Sequence, residues 1–494
     1  MMHDHGKSDR PIGPAKPPNE AEPGKAKEVV EGEGLAEGKA PERNMSRTQS
    51  RSGMSSALER IRQAARSDKG QRFTALLHHV YSVDRLKAAY FGLKRDAAAG
   101  IDGETWRQYG ERLESHLKDL SERIQRGAYR AQPVRRAYIA KAGEPGKVGP
   151  LGVLVVEDKI VQRATAEVLS CVYEQDFVRF SYGFRPGKNP HQALDALSIG
   201  IVRRKVNWVL DADIRGFFDN LDREWLVKFI EHRVGDQRIV RLIQKWLKAG
   251  VLEEGKHIDT EMGTIQGGSI SPLLANIYLH YGFDLWVKQW RKTKAHGDVI
   301  VGRFADDFVV GFEHRSDGER FLSELGERLK RFGLELHGQK TRLIEFGRNA
   351  EENRRNRSEG KPETFNFLGF THSCAKTRKG KFVVLRQTMR KRWQTKLKAV
   401  KAELRRRMHT PVPDMGRYVR AVVMGHMRYY AVPMNAVSVS DFRMAVVRIW
   451  RRVLKRRSQT AQLAWTRMRR YIVRWVPHTH VCHPYPWQRF GVIT

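Results

Sequence analysis

Three aspartates set the chemical question. Asp306 and Asp307 are adjacent in the run Phe304-Ala305-Asp306-Asp307-Phe308-Val309-Val310, whose flanks are of the kind that becomes buried. Two carboxylates side by side in an apolar setting repel each other and lose solvation, which raises their pKa values. A divalent cation relieves both penalties, because hard cations take carboxylate oxygen; Mg2+ typically binds one or two carboxylates together with substrate phosphates. Asp213 stands near the end of a second apolar run, Asn207 to Ile214. Three carboxylates converging from two neighbouring strands are what two-metal phosphoryl transfer needs. One ion lowers the pKa of the attacking hydroxyl and the other stabilises the leaving group. Asp is also common in turns, so a plain hairpin tip at Asp306-Asp307 is the competing reading.

The elements that must carry these residues show as periodicity. In Asn207 to Ile214, Trp208, Leu210, Ala212 and Ile214 alternate with Asp211 and Asp213, so a strand buries one set and turns the acids away. Val299 to Phe312 reads as a strand pair with Ala305-Asp306-Asp307 at its tip. Leu86, Ala89, Tyr90 and Leu93 share one helical face, and Leu113, Leu117, Leu120 and Ile124 share another. Residues 349–364 are polar and charged and read as a loop. From about residue 385 the pattern turns helical and basic. Met389, Trp393, Leu397, Val400 and Leu404 form one stripe; Phe442, Val446, Ile449 and Val453 form another, accompanied by Arg451, Arg452, Lys455, Arg456 and Arg457.

Composition bounds the partners. The chain has 494 residues, room for two to four domains, and a net charge of +36 from 91 Lys+Arg against 55 Asp+Glu. Self-repulsion on that scale points to a polyanion. No apolar run approaches the roughly 20 residues needed to span a bilayer, so a membrane is not expected. Residues 1–55, rich in Pro, Gly, Lys and Glu, read as a disordered extension without a signal peptide. Cys171, Cys374 and Cys482 are too scattered for a disulfide framework, which points to a reducing compartment, the cytoplasm. His478, His480, Cys482 and His483 cluster without a standard zinc spacing.

Around the aspartates, the sequence resembles the group II intron reverse transcriptases, the intron-encoded maturases of bacteria and organelles. Arg303-Phe304-Ala305-Asp306-Asp307-Phe308 looks like their Tyr-Ala-Asp-Asp box, and the run from Gly263 to Leu279 looks like their Pro-Gln-Gly box with the helix after it. Asp211-Ala212-Asp213-Ile214-Arg215-Gly216-Phe217-Phe218-Asp219 looks like the block of the first catalytic Asp. Ser181-Tyr182-Gly183-Phe184-Arg185-Pro186 with His191-Gln192-Ala193-Leu194 matches another block, and Phe365-Asn366-Phe367-Leu368-Gly369-Phe370 resembles the primer grip. The five blocks stand in the family order, and the likeness runs from about residue 75 to the end.

The resemblance implies an α+β right-hand polymerase. Fingers and palm with an antiparallel sheet would fill residues 56–380, an α-helical thumb or maturase domain 381–457, and a basic segment 458–494. It implies a bacterial RNA-directed DNA polymerase in which Asp213, Asp306 and Asp307 are catalytic ligands of Mg2+, with Mn2+ as an alternative. The same protein would bind its intron RNA to assist splicing and mobility. Its partners would be intron RNA, a DNA target and primer, and deoxynucleoside triphosphates. Gln266 and Gly267 would line the nucleotide pocket, Phe218 would exclude a 2′ hydroxyl, and Lys141 would contact the triphosphate. Against these stand a plain turn, a core aromatic and a surface lysine. Gly425-His426-Met427-Arg428-Tyr429-Tyr430 falls in the characteristic thumb helix, and Arg451, Arg452, Lys455 and Arg456 would hold RNA. Trp393, Tyr429, Tyr430 and Trp450 read as core.

Departures from the family pattern are Ile265 for Pro, Phe304 for Tyr, and Gly149 for an Arg that would bind triphosphate. The last weakens nucleotide binding unless Lys147 substitutes. Nothing resembles a His-Asn-His endonuclease domain. The intact aspartate trio favours an active polymerase. The alternatives are a non-catalytic RNA-binding splicing factor and a host-adopted reverse transcriptase in defence or repair.

Overall fold

In a computed structural model of the chain, residues 46–140, 148–253, 256–258, 267–457 and 463–490 are described. Eleven strands follow one another among them: β1 (Val134–Ala140), β2 (Val148–Val153), β3 (Trp208–Ala212), β4 (Val251–Glu253), β5 (Lys256–Ile258), β6 (Val299–Phe304), β7 (Asp307–Phe312), β8 (Arg342–Glu345), β9 (Phe365–Phe367), β10 (Phe370–Lys376) and β11 (Phe382–Thr388). They form three sheets, ordered β2-β1-β4-β5, β6-β7-β3-β8 and β11-β10-β9. Every pairing is antiparallel except that of β1 with β4. With helices before, between and after the sheets, the class is α+β.

The β6-β7-β3-β8 sheet is buried on both faces. Leu210, Ala212, Phe308 and Val310 join the largest core with residues of helices Val156–Asp176, Arg223–Glu231, Ser271–Leu279 and Arg315–Lys330. Val209, Val309 and Ile344 join a second core beneath helix Pro190–Arg203 and the β9–β11 sheet. This is why β3 is not a clean two-period strand. Val209 shares the face of Asp211 and Asp213 yet is fully buried, and that face opens to solvent only at the two acids. Trp208 is half-buried, with the Arg315 guanidinium 5.2 Å from its ring.

Four helices, Arg390–Arg406, Val412–Tyr430, Ala436–Lys455 and Trp465–Trp475, enclose a third core of their own. Both expected stripes face it except for Met389, which precedes the first helix, with Val400, Leu404, Phe442, Val446 and Val453 buried, and Trp450 is fully buried among them. Gly416 admits the last helix closely: a Cβ there would sit 2.5 Å from the Trp475 ring.

Several expectations about local structure are corrected. The helix Ser46–Ser67 begins inside the stretch read as disordered, while residues 1–45 lie outside the described residues. The charged run 349–364 contains the short helix Ala350–Asn356, and its charges pair locally, Arg354 with Glu359 and Arg357 with Glu345. The chain does not turn helical at 385. β11 continues to Thr388 because it pairs along its whole length with β10, and the polar Arg386 is buried against Asp195. Among the described residues no helix is long and apolar enough to cross a membrane.

Candidate active site

The tip of the β6–β7 hairpin is set by register. Phe304 pairs with Asp307, so Ala305 and Asp306 form a two-residue turn. Such turns need positive φ at the first central position, and Ala305 has φ 56°. A residue with a Cβ resists that region. The tip is held there from outside. A Cβ on Gly183 would lie 2.2 Å from the Ala305 nitrogen and 2.9 Å from the Phe304 carbonyl carbon, so only glycine lets this segment lie against the turn. Tyr182 N–H donates to the Arg303 carbonyl and Arg303 N–H to the Phe180 carbonyl, each at 2.9 Å.

The sheet carries the three aspartates to one end. Ala212 is opposite Phe308, the last pair before Asp213 and Asp307, and the Asp213 charge acts on both Asp306 and Asp307. Asp306 and Asp213 are half-buried; Asp307 lies at the mouth, open to solvent. Burial raises the pKa of Asp306, and the Asp213 charge adds to it. Although Asp307 reaches solvent, the protein crowded around its carboxyl strips water from it; that desolvation first, then the Asp306 and Asp213 charges, push it up to about 7, against the opposing charge of Arg392. Burial also raises Asp211, which Arg342 opposes.

Lys340 is a member of this site that motif reading missed. Its Nζ donates to Asp213 Oδ2 at 2.6 Å. Asp211 lies opposite Arg342 on β8, but beyond that pair the register breaks: the His337 N–H donates to the Asp213 carbonyl at 2.8 Å, and Lys340 reaches the Asp213 carboxylate from the turn between His337 and Arg342. Only the fold of the turn before β8 reveals this, and no local pattern announces it.

Among the described residues no three carboxylate, His or Cys groups are drawn together tightly enough to hold a metal ion by themselves. The donor chemistry nonetheless fits a hard divalent cation: oxygen donors only, with the repulsion of Asp306 and Asp213 on Asp307 only partly offset by Arg392. An incomplete protein shell is what Mg2+ requires when phosphates and water supply the remaining ligands.

The other candidate residues fall as follows. Gly267 has φ 111°, and a Cβ there would meet the Gly152 carbonyl at 2.6 Å. It therefore lies against β2, the strand that carries Gly149 opposite Ile139. Gln266, Lys141 and Lys147 lie outside the described residues. Phe218 is half-buried, 5.4 Å from the ring of Phe217, and it is Phe217 that is sealed in the core. Arg452, Lys455 and Arg456 are exposed. Arg451 differs: half-buried, its Nε donates to the Leu463 carbonyl at 3.1 Å and its guanidinium lies 4.4 Å from the Trp465 ring. The helix Trp465–Trp475 adds exposed Arg467, Arg469, Arg470 and Arg474, which motif reading also missed. A signal existed: from Phe442 to Thr494 there are 12 Lys or Arg and no Asp or Glu. In the terminal His-rich stretch, His483 stacks on His191 at 3.8 Å and bonds the Arg428 carbonyl.

Comparison with known proteins places these features in context. A family model described as reverse transcriptase (RNA-dependent DNA polymerase) matches residues 139–372, which include all three aspartates. The chain is 37% identical over 225 residues to the group II intron-encoded protein LtrA of Lactococcus lactis subsp. cremoris, a match covering 45% of this chain and 37% of that protein. It is 32% identical over 277 residues to protein YkfC of Escherichia coli K12, covering 50% of this chain and 72% of that one. A 91 kDa protein in the cob intron of Schizosaccharomyces pombe is 38% identical over 148 residues, or 30% of this chain and 18% of that protein. The matched stretch thus spans well under half of LtrA and of the cob intron protein.

Proposed function

Because this chain belongs to the reverse transcriptase family, we propose that it copies an RNA template into DNA by nucleotidyl transfer at Asp213, Asp306 and Asp307. The observation that carries this reading is the hairpin tip itself, where two carboxylates with raised pKa stand beside a third from the neighbouring strand. The three aspartates would hold Mg2+, or Mn2+ in its place, which when bound supplies Lewis-acid activation of the 3′ hydroxyl and charge neutralisation at the leaving pyrophosphate. Lys340 neutralises Asp213 while no cation does so. Gly267 lets its segment pack directly on β2, and with Gln266 and Lys141 it is assigned to the nucleotide pocket on the family pattern. The half-buried Phe218 ring would sit under the sugar.

The helices after β11 would act as a thumb, and their exposed basic residues would hold RNA by phosphate contact. The likeness to a group II intron-encoded protein supports intron RNA as that partner, with splicing assistance and mobility as the wider role. A second reading, an RNA-binding splicing factor without synthesis, is favoured by Gly149 where an Arg would meet triphosphate. One experiment separates them. Primer extension on an RNA template should be metal-dependent in the wild type and abolished in Asp306→Ala, with RNA binding nearly intact. Extension by Asp306→Ala at the wild-type rate overturns the assignment, and a wild type that binds RNA without extending primers establishes the second reading.

A further inference from the structure

We infer that Arg303 is the positioning residue of the aspartate tip, a buried guanidinium that fixes the Ala305 carbonyl and through it the orientation of Asp306 and Asp307. The inference rests on the polymerase reading of the three aspartates and assigns a role that the aspartates themselves do not explain.

Arg303 sits on β6 two residues ahead of the tip and is fully buried. A guanidinium has five N–H donors in a rigid fork. All five are used. Nε and Nη2 donate to the two carboxylate oxygens of Asp284 at 2.7 and 2.6 Å. Nη2 also donates to Ser181 Oγ at 2.7 Å. Nη1 donates to Asn276 Oδ1 at 3.1 Å and to the Ala305 carbonyl at 2.8 Å. The last bond reaches the residue held at φ 56°, immediately before Asp306.

The partners come from separate parts of the chain and close a ring. Asn276 Nδ2 donates to the Gly183 carbonyl at 2.8 Å, and Gly183 is the residue pressed against the tip. Asp284, fully buried, ends a π-helical segment, His280–Asp284, that interrupts the helical run from Ser271 to Thr293. A π turn inserts an extra residue and rotates everything after it, and such bulges concentrate at functional sites. Apolar packing would fill this space and stabilise the fold at least as well as a buried ion pair. What the fork adds is direction, because five bonds of fixed geometry admit one placement of the Ala305 carbonyl. Mg2+ demands near-ideal octahedral geometry, so carboxylates on a loose tip would bind it poorly.

Arg303→Lys in the full chain tests this, read by Mn2+ binding followed by electron paramagnetic resonance, by thermal melting, and by the Mg2+ dependence of primer extension. Residues that orient metal ligands typically change affinity or activity by about 10- to 100-fold. The expected result is Mn2+ affinity and half-saturating Mg2+ shifted into that range, with RNA binding unchanged. A purely structural arginine would lower the melting temperature and weaken RNA binding and synthesis together, leaving the metal dependence of the folded fraction alone. Asp306→Ala serves as the reference. If it loses Mn2+ and folded Arg303→Lys binds Mn2+ as the wild type does, the positioning role is overturned and the polymerase reading stands. If Asp306→Ala keeps its Mn2+, the polymerase reading itself is overturned. Should Arg303→Lys not fold, Ser181→Ala and Asn276→Ala each remove one acceptor of the fork. A weaker shift in the same direction is expected, and wild-type Mn2+ affinity in both overturns the inference.

Discussion

Asp307 ties the chemistry to pH. Burial and the neighbouring carboxylates raise it to about 7 from an ordinary 3.8. A carboxyl group with a raised folded-state pKa binds its proton more tightly when folded. Its contribution to stability is therefore complete below about 3.8 and is lost as pH rises through about 7. Solvent at the mouth of the site moderates the size of this effect but not its sign. A divalent ion takes the place of the proton, so the dependence on pH inverts for metal binding. Without metal, the Asp307 contribution to melting temperature should decline from about pH 4 to about pH 7, and Asp307→Asn should flatten that decline while abolishing synthesis. Added Mg2+ should raise the melting temperature more above pH 7 than below it. Melting curves with and without Mg2+ across that range check the point, and an equal Mg2+ effect at both ends would count against Asp307 as a ligand. Phe218 offers a second test at this scale. Its ring is half-buried, so Phe218→Ala should relax discrimination against ribonucleotides, by an amount on the order of tenfold or more. Unchanged discrimination with a lower melting temperature would return Phe218 to the core.

At the scale of elements, the hairpin tips decide how precisely the residues are held. At β6–β7 the outside support is Gly183, whose replacement by Ala would drive a Cβ into backbone rather than into a yielding side chain. Gly183→Ala should leave RNA binding in place and cut synthesis by about 100-fold, the scale expected when reacting groups are misplaced by roughly 1 Å. Primer extension alongside RNA binding measures this, and a fully active variant would show that the tip tolerates displacement. The β9–β10 tip follows the same logic. Leu368 and Gly369 have φ 48° and 81°, the paired positive values of a type I′ turn, and Tyr429 Oη donates to the Leu368 carbonyl at 2.9 Å. A Cβ on Gly369 would lie 2.9 Å from Arg392 Nη1 and 3.0 Å from Tyr430 Oη, so the C-terminal helices dock directly on this turn. Short blocks such as these are readable in sequence because their demands are local: a glycine where a Cβ would collide, two acids at a tip. What was not readable depends on pairing between distant segments. Lys340 reaches Asp213 from the turn before β8, and Arg303 meets Asp284 at the end of a π-helical segment. The helical onset expected at 385 was misplaced for a related reason. Arg386 looks like surface charge in sequence, and it is the buried Asp195 that makes it part of a strand.

Across the whole molecule, the +36 charge is distributed unevenly, with its last acidic residue at Asp441. The final helices pack a shared core on one side and leave Arg452, Lys455, Arg456, Arg469, Arg470 and Arg474 exposed on the other. Arg451 does not belong with this set, since it secures Leu463 and Trp465, and neither does Arg457, which donates to the Thr410 carbonyl. Reversing the six exposed residues to Glu should therefore weaken intron RNA binding while the fold persists. Arg451→Glu should instead lower the melting temperature, because a half-buried carboxylate would replace a stacked and hydrogen-bonded guanidinium. The salt dependence of binding discriminates further. Each phosphate contact contributes about 0.9 to the slope of log affinity against log salt on B-form duplex and about 0.7 on single strands. A flatter slope in the six-residue variant, with synthesis on a short primer and template reduced less than intron RNA binding, would identify this face as the RNA grip. An unchanged slope and affinity in the folded variant would place the grip elsewhere and leave the charge of these helices without a partner. The direction of the effect follows from geometry: the aspartate tip lies on the β6-β7-β3-β8 sheet, and these arginines lie on helices with a separate core, so the two can be weakened independently.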